Sequence, residues 1–275
     1  MNLRTINNIG YFGIVILLVQ LYPIQPIFAQ SFGKNKVQYQ DFDWKYVQSK
    51  YFDVYYYGEE EALAVFVADV AESSYVTLKK DIGYQILQRI PILVYNGHND
   101  FEQTNVTYSM IEESVGGFTE IFKDRIVLPF QGNYEEFRHV IHHELTHAVM
   151  FQMLYGKGVG TMVSGMIRFQ VPLWLAEGLA EYESLGWDTD SDMFMRDATL
   201  NGYVPPIQQM YGFMVYKGGQ SVLHYIAEKY GSPKIGEILA KIRLHHGFQY
   251  PASTLFSNTF AISCLTLQPL RRRTV

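Results

Sequence analysis

Four histidines and one glutamate stand within nine positions of an otherwise apolar stretch, HVIHHELTHAVM, from His139 to Met150. His143, Glu144 and His147 form the pattern H-E-x-x-H. On a helix, residues four apart lie on one face, so both imidazoles can bind the same ion. Zinc is the predicted metal, because imidazole nitrogen is a good zinc ligand. Glu144 is turned about 100° from His143, so it stands beside the ion and can take a proton from a bound water.

The same stretch could instead be a helix with ordinary hydrogen-bonded histidines. We assign His139 and His142 to that role, or to the support of the ligands. The apolar residues give the helix a buried side, and burying two histidines and a glutamate next to it costs free energy without a metal or partners. The pattern alone is known to give false matches, so a second signal is needed.

That second signal is WLAEGLAEY, Trp174 to Tyr182. Catalytic zinc usually takes three protein ligands and leaves a fourth position for water, and Glu177 can supply the third ligand. Glu181, one turn further along the same face, is placed to hold a ligand histidine through its other ring nitrogen. Apolar residues surround both glutamates, which makes a solvated surface a poor explanation.

The elements that must position these residues run strands first and helices second. Strands are predicted at residues 51–58, 90–97, 116–122 and 125–130, and helices at 59–82, 133–155, 172–186, 216–230 and 233–244. Asn133 can cap the histidine helix, and Pro172 sits where a proline opens a helix. This order predicts an α+β fold: an N-terminal mixed β-sheet with helices, then a mainly helical part, with the active-site helix at the junction.

Composition limits the partners and the type of site. The chain has 275 residues, 48% of them hydrophobic, and a formal net charge of −5 without a basic stripe, so no nucleic acid is expected as a partner. The single cysteine, Cys264, excludes an internal disulfide and a cysteine-based metal site.

The two ends of the chain differ from the middle. Residues 1–29 have the pattern of a signal peptide cleaved after Ala29; an uncleaved anchor is the alternative, but the apolar run is short and is broken by Gln20 and Pro23. We therefore expect export to the periplasm or cell envelope, a domain over residues 30–250, and no stable membrane insertion after cleavage. Residues 251–275 fit no element, as in a disordered tail or, by our preference, a truncated or frame-shifted end.

A membrane-tethered envelope protein, with the stretch from Thr161 to Val171 in contact with lipid, is a further alternative. Arg168 and Gln170 instead favour a buried loop near the active-site cleft.

HHELTH followed by PLWLAEGLAEY resembles the gluzincin branch of the zincin metallopeptidases, the peptidase MA-like group. The resemblance implies that an extended peptide or protein substrate pairs with an edge strand containing Gly116, Gly117 and Phe118. The other zincin pattern has a third histidine six residues after the second, where this chain has Met153. The implied site comprises the zinc ligands His143, His147 and Glu177, the general base Glu144, and Glu181 behind a ligand histidine.

A further match is YKGGQSVLHYIAEKYG, Tyr216 to Gly231, which is similar to the gluzincin aminopeptidase segment that opens with a catalytic tyrosine. The resemblance implies that Tyr216 donates its hydroxyl to the oxyanion of the reaction. The alternative is one tyrosine among 21, packed at a helix start.

The chain departs from these aminopeptidases after Gly116-Gly117-Phe118. Their glutamate for the substrate amino group follows directly, whereas here Thr119 follows and Glu120 comes one place late. A shift of one residue in a strand turns the side chain to the other face. Binding of a free amino group is therefore in doubt, and an endopeptidase is favoured.

Residues 51–244 as a whole are similar to exported bacterial peptidase MA-like domains that precede a TolB-like β-propeller, which implies that the propeller is missing from this chain. The predicted function is zinc-dependent hydrolysis of peptide bonds. The alternative is a zinc-stabilised binding or scaffold module of the cell envelope with vestigial peptidase activity. Glu144 favours the enzyme, since a scaffold has no need of a base.

Overall fold

The computed structural model describes residues 40–103, 116–156, 159–168 and 170–245. The predicted signal peptide and the irregular tail lie outside these ranges. The described strands are β1 Trp44–Gln48, β2 Phe52–Tyr57, β3 Ile90–Tyr95, β4 Phe118–Glu120 and β5 Arg125–Pro129. The described helices are α1 Glu61–Ile82, α2 His98–Glu102, α3 Tyr134–Tyr155, α4 Val159–Arg168, α5 Leu173–Leu185, α6 Thr189–Leu200, α7 Met214–Tyr230 and α8 Pro233–His245.

The described strands form one mixed sheet in the order β1-β2-β3-β5-β4. Strands β2, β3 and β5 run parallel, whereas β1 and β4 are antiparallel to their neighbours. Phe52, Val54 and Tyr56 of β2 are buried, and the residues between them are partly exposed, so alternate side chains enter the core. Strand β4 lies at the edge of this sheet, where Phe118 is opposite Val127 of β5.

The main core lies between one face of the sheet and the helices. It joins alternate residues of β2, β3 and β5 to the apolar sides of α1, α3, α5, α7 and α8. A smaller aromatic cluster, which includes Tyr57, Tyr95, Phe101 and Val127, covers the other face. The N-terminal mixed sheet and the mainly helical second part confirm the predicted α+β fold.

Helix α3 connects the sheet to the helical part, as predicted. The side chain of Asn133 caps it by accepting the backbone N–H groups of Glu135 and Glu136 at 3.0 and 3.4 Å. The helix ends at Gly156, which has a positive φ of 77°. Ile141, Leu145 and other apolar residues of α3 are buried in the main core, and this fixes the direction in which its polar face points.

Helices α5 and α7 meet with their backbones nearly in contact. A Cβ on Gly178 of α5 would lie 2.4 Å from the carbonyl carbon of Gly219 on α7. A Cβ on Gly219 would lie 2.1 Å from the carbonyl oxygen of Trp174. The glycine pair therefore sets the separation of the two helices, which carry four of the residues singled out by the sequence or by their contacts: Glu177, Glu181, Tyr216 and Lys217.

Several elements differ from the sequence prediction. The buried loop predicted for Thr161 to Val171 is wrong, because α4 occupies Val159–Arg168 and leaves Thr161 exposed. Among its described residues, Gly165 and Met166 pack against Tyr155 of α3 and the main core, whereas Thr161, Val163 and Ser164 are exposed, which is the one-sided pattern of a surface helix.

Three elements were missed altogether: β1, α2 and α6. Strand β1 lies at a sheet edge without buried side chains. Helix α2 has only five residues. Helix α6 buries only the small or flexible residues Ser191, Met195 and Ala198, so its apolar period is weak.

Across the described residues, no helix combines the length and the apolar character needed to cross a membrane.

Glu183 of α5 is a buried acidic group for which the described part of the chain provides no ion pair. Glu183 is 8% exposed, and its Oε1 has no hydrogen-bond partner among the described residues. Burial, together with the charge of Asp81, raises the pKa of Glu183 to about 8. The carboxyl group is therefore protonated in the folded protein at neutral pH.

Replacing Gly178 by alanine should destabilise the fold by about 1–3 kcal/mol, because the new methyl group meets backbone atoms that cannot rotate away. The matched control is Gly160→Ala in α4, where nothing lies within 4 Å of the added Cβ and helix propensity favours alanine by up to about 1 kcal/mol. Urea denaturation measures both free energies of unfolding. Equal stability of the two variants would contradict the close contact.

Glu183 should make the free energy of unfolding fall as the pH rises from about 5 to about 8. In this window the unfolded carboxyl, with its ordinary pKa of 4.5, has lost a proton that the folded protein keeps, so higher pH favours unfolding. We expect Glu183→Gln to match the parent protein near pH 5 and to exceed its stability near pH 8, by up to about 1.4 kcal/mol for each unit of pKa shift. The exposed Glu228→Gln is the control; a pH-independent difference between parent and Glu183→Gln would refute the assignment.

Candidate metal centre

Three ligand atoms from two helices meet at one point. His143 and His147 lie on successive turns of α3, and Glu177 lies in the first turns of α5. The Nε2 atoms of the two histidines are 3.2 Å apart. Glu177 Oε2 lies 3.3 Å from Nε2 of His143 and 3.4 Å from Nε2 of His147. The H-E-x-x-H pattern and the downstream glutamate, which the sequence suggested separately, are thus brought together.

The dimensions of this triangle suit zinc. Two ligands that are each about 2.05 Å from a tetrahedral ion lie about 3.3 Å from one another, which matches all three edges. Two imidazole nitrogens and one carboxylate oxygen are also a donor set that zinc accepts in catalytic sites. His143, His147 and Glu177 therefore fit a zinc ion in both geometry and chemistry.

The charges at this point require a cation. Burial alone would raise the pKa of Glu177, but contacts with His143 and His147 outweigh it and lower the pKa to about 2. Burial would lower the pKa of His143, but Glu177 and Glu181 outweigh it and raise that pKa to about 9. Either a proton on His143 or a metal ion can satisfy the site, and binding of the metal releases the proton.

Glu181 lies behind the first ligand histidine. Its Oε1 is 3.2 Å from Nδ1 of His143 and 3.5 Å from Nε2 of His139. The contact with His143 is within ion-pair range, although it lacks the alignment of a good hydrogen bond. No other described residue pairs with Nδ1 of His143, so Glu181 is the group that faces this nitrogen, where the sequence had placed it.

His139, His143 and Glu181 also lie close enough together to be considered as a second metal site. They share His143 with the first group, and the ammonium of Lys217 lies 2.8 Å from Glu181 Oε2. A positive charge already occupies that side of the carboxylate, which argues against a second cation. We therefore assign only the group around Glu177 as the candidate metal centre.

Glu144 directly follows the ligand His143 on α3 and contacts the edge strand β4. It is 8% exposed, and its Oε2 is 2.8 Å from the hydroxyl of Thr119 in β4. The same hydroxyl is 2.8 Å from the backbone carbonyl of Glu144, so its single proton is donated to one oxygen at a time. This contact anchors β4 to α3 next to the ligands.

The three residues expected to contact substrate lie at or just before this edge strand. Gly116 and Gly117 pack against α3, where an added Cβ would lie 3.2 Å from Val140 Cγ2 and 3.3 Å from Glu144 Cγ. The side chain of Phe118 belongs to the aromatic cluster on the other face of the sheet. Only the backbone of Phe118 therefore remains on the side of the site.

Glu120 points away from the metal group. Its carboxylate pairs with Arg125 Nε at 2.6 Å and with Lys123 Nζ at 3.1 Å. Thr119, one position earlier, is the residue that faces Glu144. The alternation of the strand thus puts Glu120 on the face that the one-residue shift predicted.

Tyr216 lies in the first turn of α7 next to the ligands. Its ring stacks on that of His143 with 6.3 Å between centroids and 24° between planes. Burial and the charges of Glu177, Glu144 and Glu181 raise the pKa of Tyr216, so its hydroxyl stays protonated at neutral pH and can donate a hydrogen bond.

Two polar contacts were missed from the sequence: Thr119 with Glu144, and Lys217 with Glu181. Lys217 had a usable signal, since it lies between Tyr216 and two glycines in the first turn of α7. Thr119 could be found only once the register of β4 was known. The sequence left His139 as either an ordinary hydrogen-bonded histidine or a support for the ligands. In the structure it contacts Glu181, which in turn faces the ligand His143.

Comparison with known proteins gives a match to a solved structure but none to a protein family or a curated protein. Among solved structures, the M1 zinc metallopeptidase from Deinococcus radiodurans matches with 14% sequence identity and a TM-score of 0.41, over 78% of this chain and 46% of that one. The chain thus spans less than half of the length of that enzyme.

Purified protein should contain about one zinc ion per chain, and His147→Ala should lose it, since the variant removes one corner of the ligand triangle. Metal content by mass spectrometry makes the measurement. His224→Ala is the matched control, because His224 stacks on Trp187, outside the metal group, and should retain the metal. A folded parent protein that stays free of metal after zinc is supplied would exclude the site.

Proposed function

We propose that this protein is a zinc-dependent peptidase that hydrolyses peptide bonds. The observation that carries the proposal is the ligand triangle of His143, His147 and Glu177, whose edges measure 3.2–3.4 Å. A further glutamate, Glu144, directly follows His143 on α3. A bound zinc ion would lower the pKa of a coordinated water to about 7 and polarise the scissile carbonyl. The remaining steps belong to the side chains around it.

Glu144 is the proposed general base. The hydroxyl of Thr119 contacts Oε2 of its carboxylate, which holds the group in one orientation and leaves the second oxygen for proton transfer. Glu144 takes a proton from the attacking water and passes it to the leaving amine. Its position beside both ligand histidines follows from the helix, because it directly follows His143.

The substrate is proposed to bind as an extended peptide along β4. This strand lies at the sheet edge and is tied to Glu144 through Thr119, so a peptide paired with its backbone would pass the base and the metal group. Tyr216, protonated and packed on His143, is the proposed donor to the oxyanion that forms at the scissile carbonyl.

An endopeptidase is favoured over an aminopeptidase. A free substrate amino group needs an unpaired carboxylate, but Glu120 faces away and is paired with Arg125 and Lys123. Export of the protein and a following β-propeller are further proposals; they rest on the sequence pattern of residues 1–29 and on the peptidase MA-like resemblance.

The alternative is a zinc-stabilised scaffold. Structural zinc sites usually have four protein ligands, whereas the described group here offers three. A scaffold also has no use for Glu144 held by Thr119 at the side of the ligands. These two features favour catalysis.

Glu144→Gln should retain zinc and lower kcat for peptide hydrolysis by about 10²–10⁴-fold, because the amide cannot accept the proton. The measurement is the turnover of an internally quenched peptide mixture together with zinc content. Glu136→Gln, an exposed glutamate in the first turn of the same helix, is the matched control and should turn over like the parent. Unchanged turnover in Glu144→Gln would rule out this base, and a zinc-loaded parent protein that cleaves no peptide would favour the scaffold.

A further inference from the structure

A buried ammonium group, that of Lys217, contacts Glu181, the residue that faces the ligand His143. Lys217 of α7 is 7% exposed, and its Nζ is 2.8 Å from Oε2 of Glu181. Asp188 is more distant, with Oδ2 at 4.0 Å, and the ring of Phe213 lies 5.9 Å away. Burying a lysine is unfavourable unless a charge partner holds it, so Glu181 is the reason why Lys217 can occupy this place.

The two oxygens of Glu181 have separate partners. Oε2 contacts Lys217, whereas Oε1 faces Nδ1 of His143 and Nε2 of His139. Nε2 of His143 is the atom that points to Glu177 and His147. A continuous series of contacts therefore runs from Lys217 through Glu181 and the His143 ring to the ligand atom.

The backbone fixes the ends of this series. Gly178 lies three residues before Glu181, and Gly219 lies two residues after Lys217, where α5 and α7 make their closest approach. Because neither glycine leaves room for a side chain, the helices cannot slide without moving both charged groups. The separation of Lys217 and Glu181 is thus set by main-chain packing.

We infer that Lys217 is a positioning residue of the metal centre: it fixes the Glu181 carboxylate so that Oε1 holds the His143 ring with Nε2 directed at the metal. This inference rests on the proposed function of the site. Lys217 touches neither the ligand atoms nor the substrate path along β4, and it acts only through Glu181. Loss of such an indirect partner typically weakens metal binding about 10–100-fold.

The direction in which zinc affinity changes when Lys217 is removed distinguishes a positioning role from a purely electrostatic one. Removing a positive charge near a cation site should, by Coulomb's law alone, strengthen metal binding. Losing the fixed orientation of Glu181 should weaken it. Weaker zinc binding after removal of Lys217 therefore identifies the positioning role.

The test is the zinc dissociation constant of the full chain, measured by competition with a chelator, for Lys217→Met and Lys217→Arg. We expect zinc binding to be about 10–100-fold weaker in Lys217→Met and largely restored in Lys217→Arg, which keeps the charge next to Glu181. Lys229→Met is the matched control: it removes the same charge from an exposed position about 18 Å further along α7 and should bind zinc like the parent. The visible spectrum of the cobalt-substituted protein should change in Lys217→Met alone, because the spectrum reports ligand geometry.

A double-mutant cycle with Glu181→Gln tests the route of the effect. If Lys217 acts through Glu181, the double variant binds zinc about as weakly as Glu181→Gln, rather than showing the sum of both losses. Where Lys217→Met does not fold, Lys217→Gln takes its place in the same cycle.

The inference and the proposed function can fail separately. Unchanged or tighter zinc binding in Lys217→Met, or full additivity in the cycle, overturns the positioning role while the peptidase proposal stands. A parent protein that binds no zinc overturns the proposed function first. A Lys217→Met variant that loses only thermal stability in the metal-free form, with unchanged zinc affinity, assigns Lys217 to the packing of α5 on α7.

Discussion

The rest of the site depends on one crowded point, where two imidazole nitrogens and a carboxylate oxygen lie within 3.2–3.4 Å of one another inside the fold. Two unprotonated ring nitrogens that direct their lone pairs at each other repel, and a carboxylate with reduced access to water needs positive charge nearby. A cation removes both problems at once. The surrounding features are means of holding α3 and α5 at the distance this point requires: the apolar side of α3, the cap at Asn133 and the glycine contact of α5 with α7.

Helix α5 shows how environment divides one residue type among several roles. Glu177, Glu181 and Glu183 lie on the same 13-residue helix. Contact with two histidines keeps Glu177 ionised, whereas Glu181 is shared between an ammonium group and two rings. Glu183 is buried, within range of the charge of Asp81, and keeps its proton. The acid–base character of each group follows from its partners on α3, α7 and α1, and not from its position along α5.

Much of the site could be predicted because, on a helix, the spacing of residues in the sequence determines the face on which their side chains lie. His143, Glu144 and His147 follow from that period, and so does the pair Glu177 and Glu181. What could not be predicted depends on pairing between distant segments. Thr119 faces Glu144 only because β4 pairs with β5 in one register, and Lys217 reaches Glu181 only because two glycines 41 positions apart let the helices touch. The same limit explains the missed β1 and α6: neither has an apolar pattern strong enough to stand out without its neighbours.

The position of the ligands on two helices has a mechanical consequence. His143 and Glu177 are 34 positions apart, and α4, with several exposed side chains, lies in the chain between them. An ion held by both would act as a cross-link that closes this loop, in the way that a disulfide does. By chain-entropy estimates, a cross-link of this span stabilises a fold by roughly 3–4 kcal/mol. The metal would then stabilise the connection between the two helices in addition to its proposed role in catalysis. Removing it with a chelator would loosen that connection before the sheet is affected.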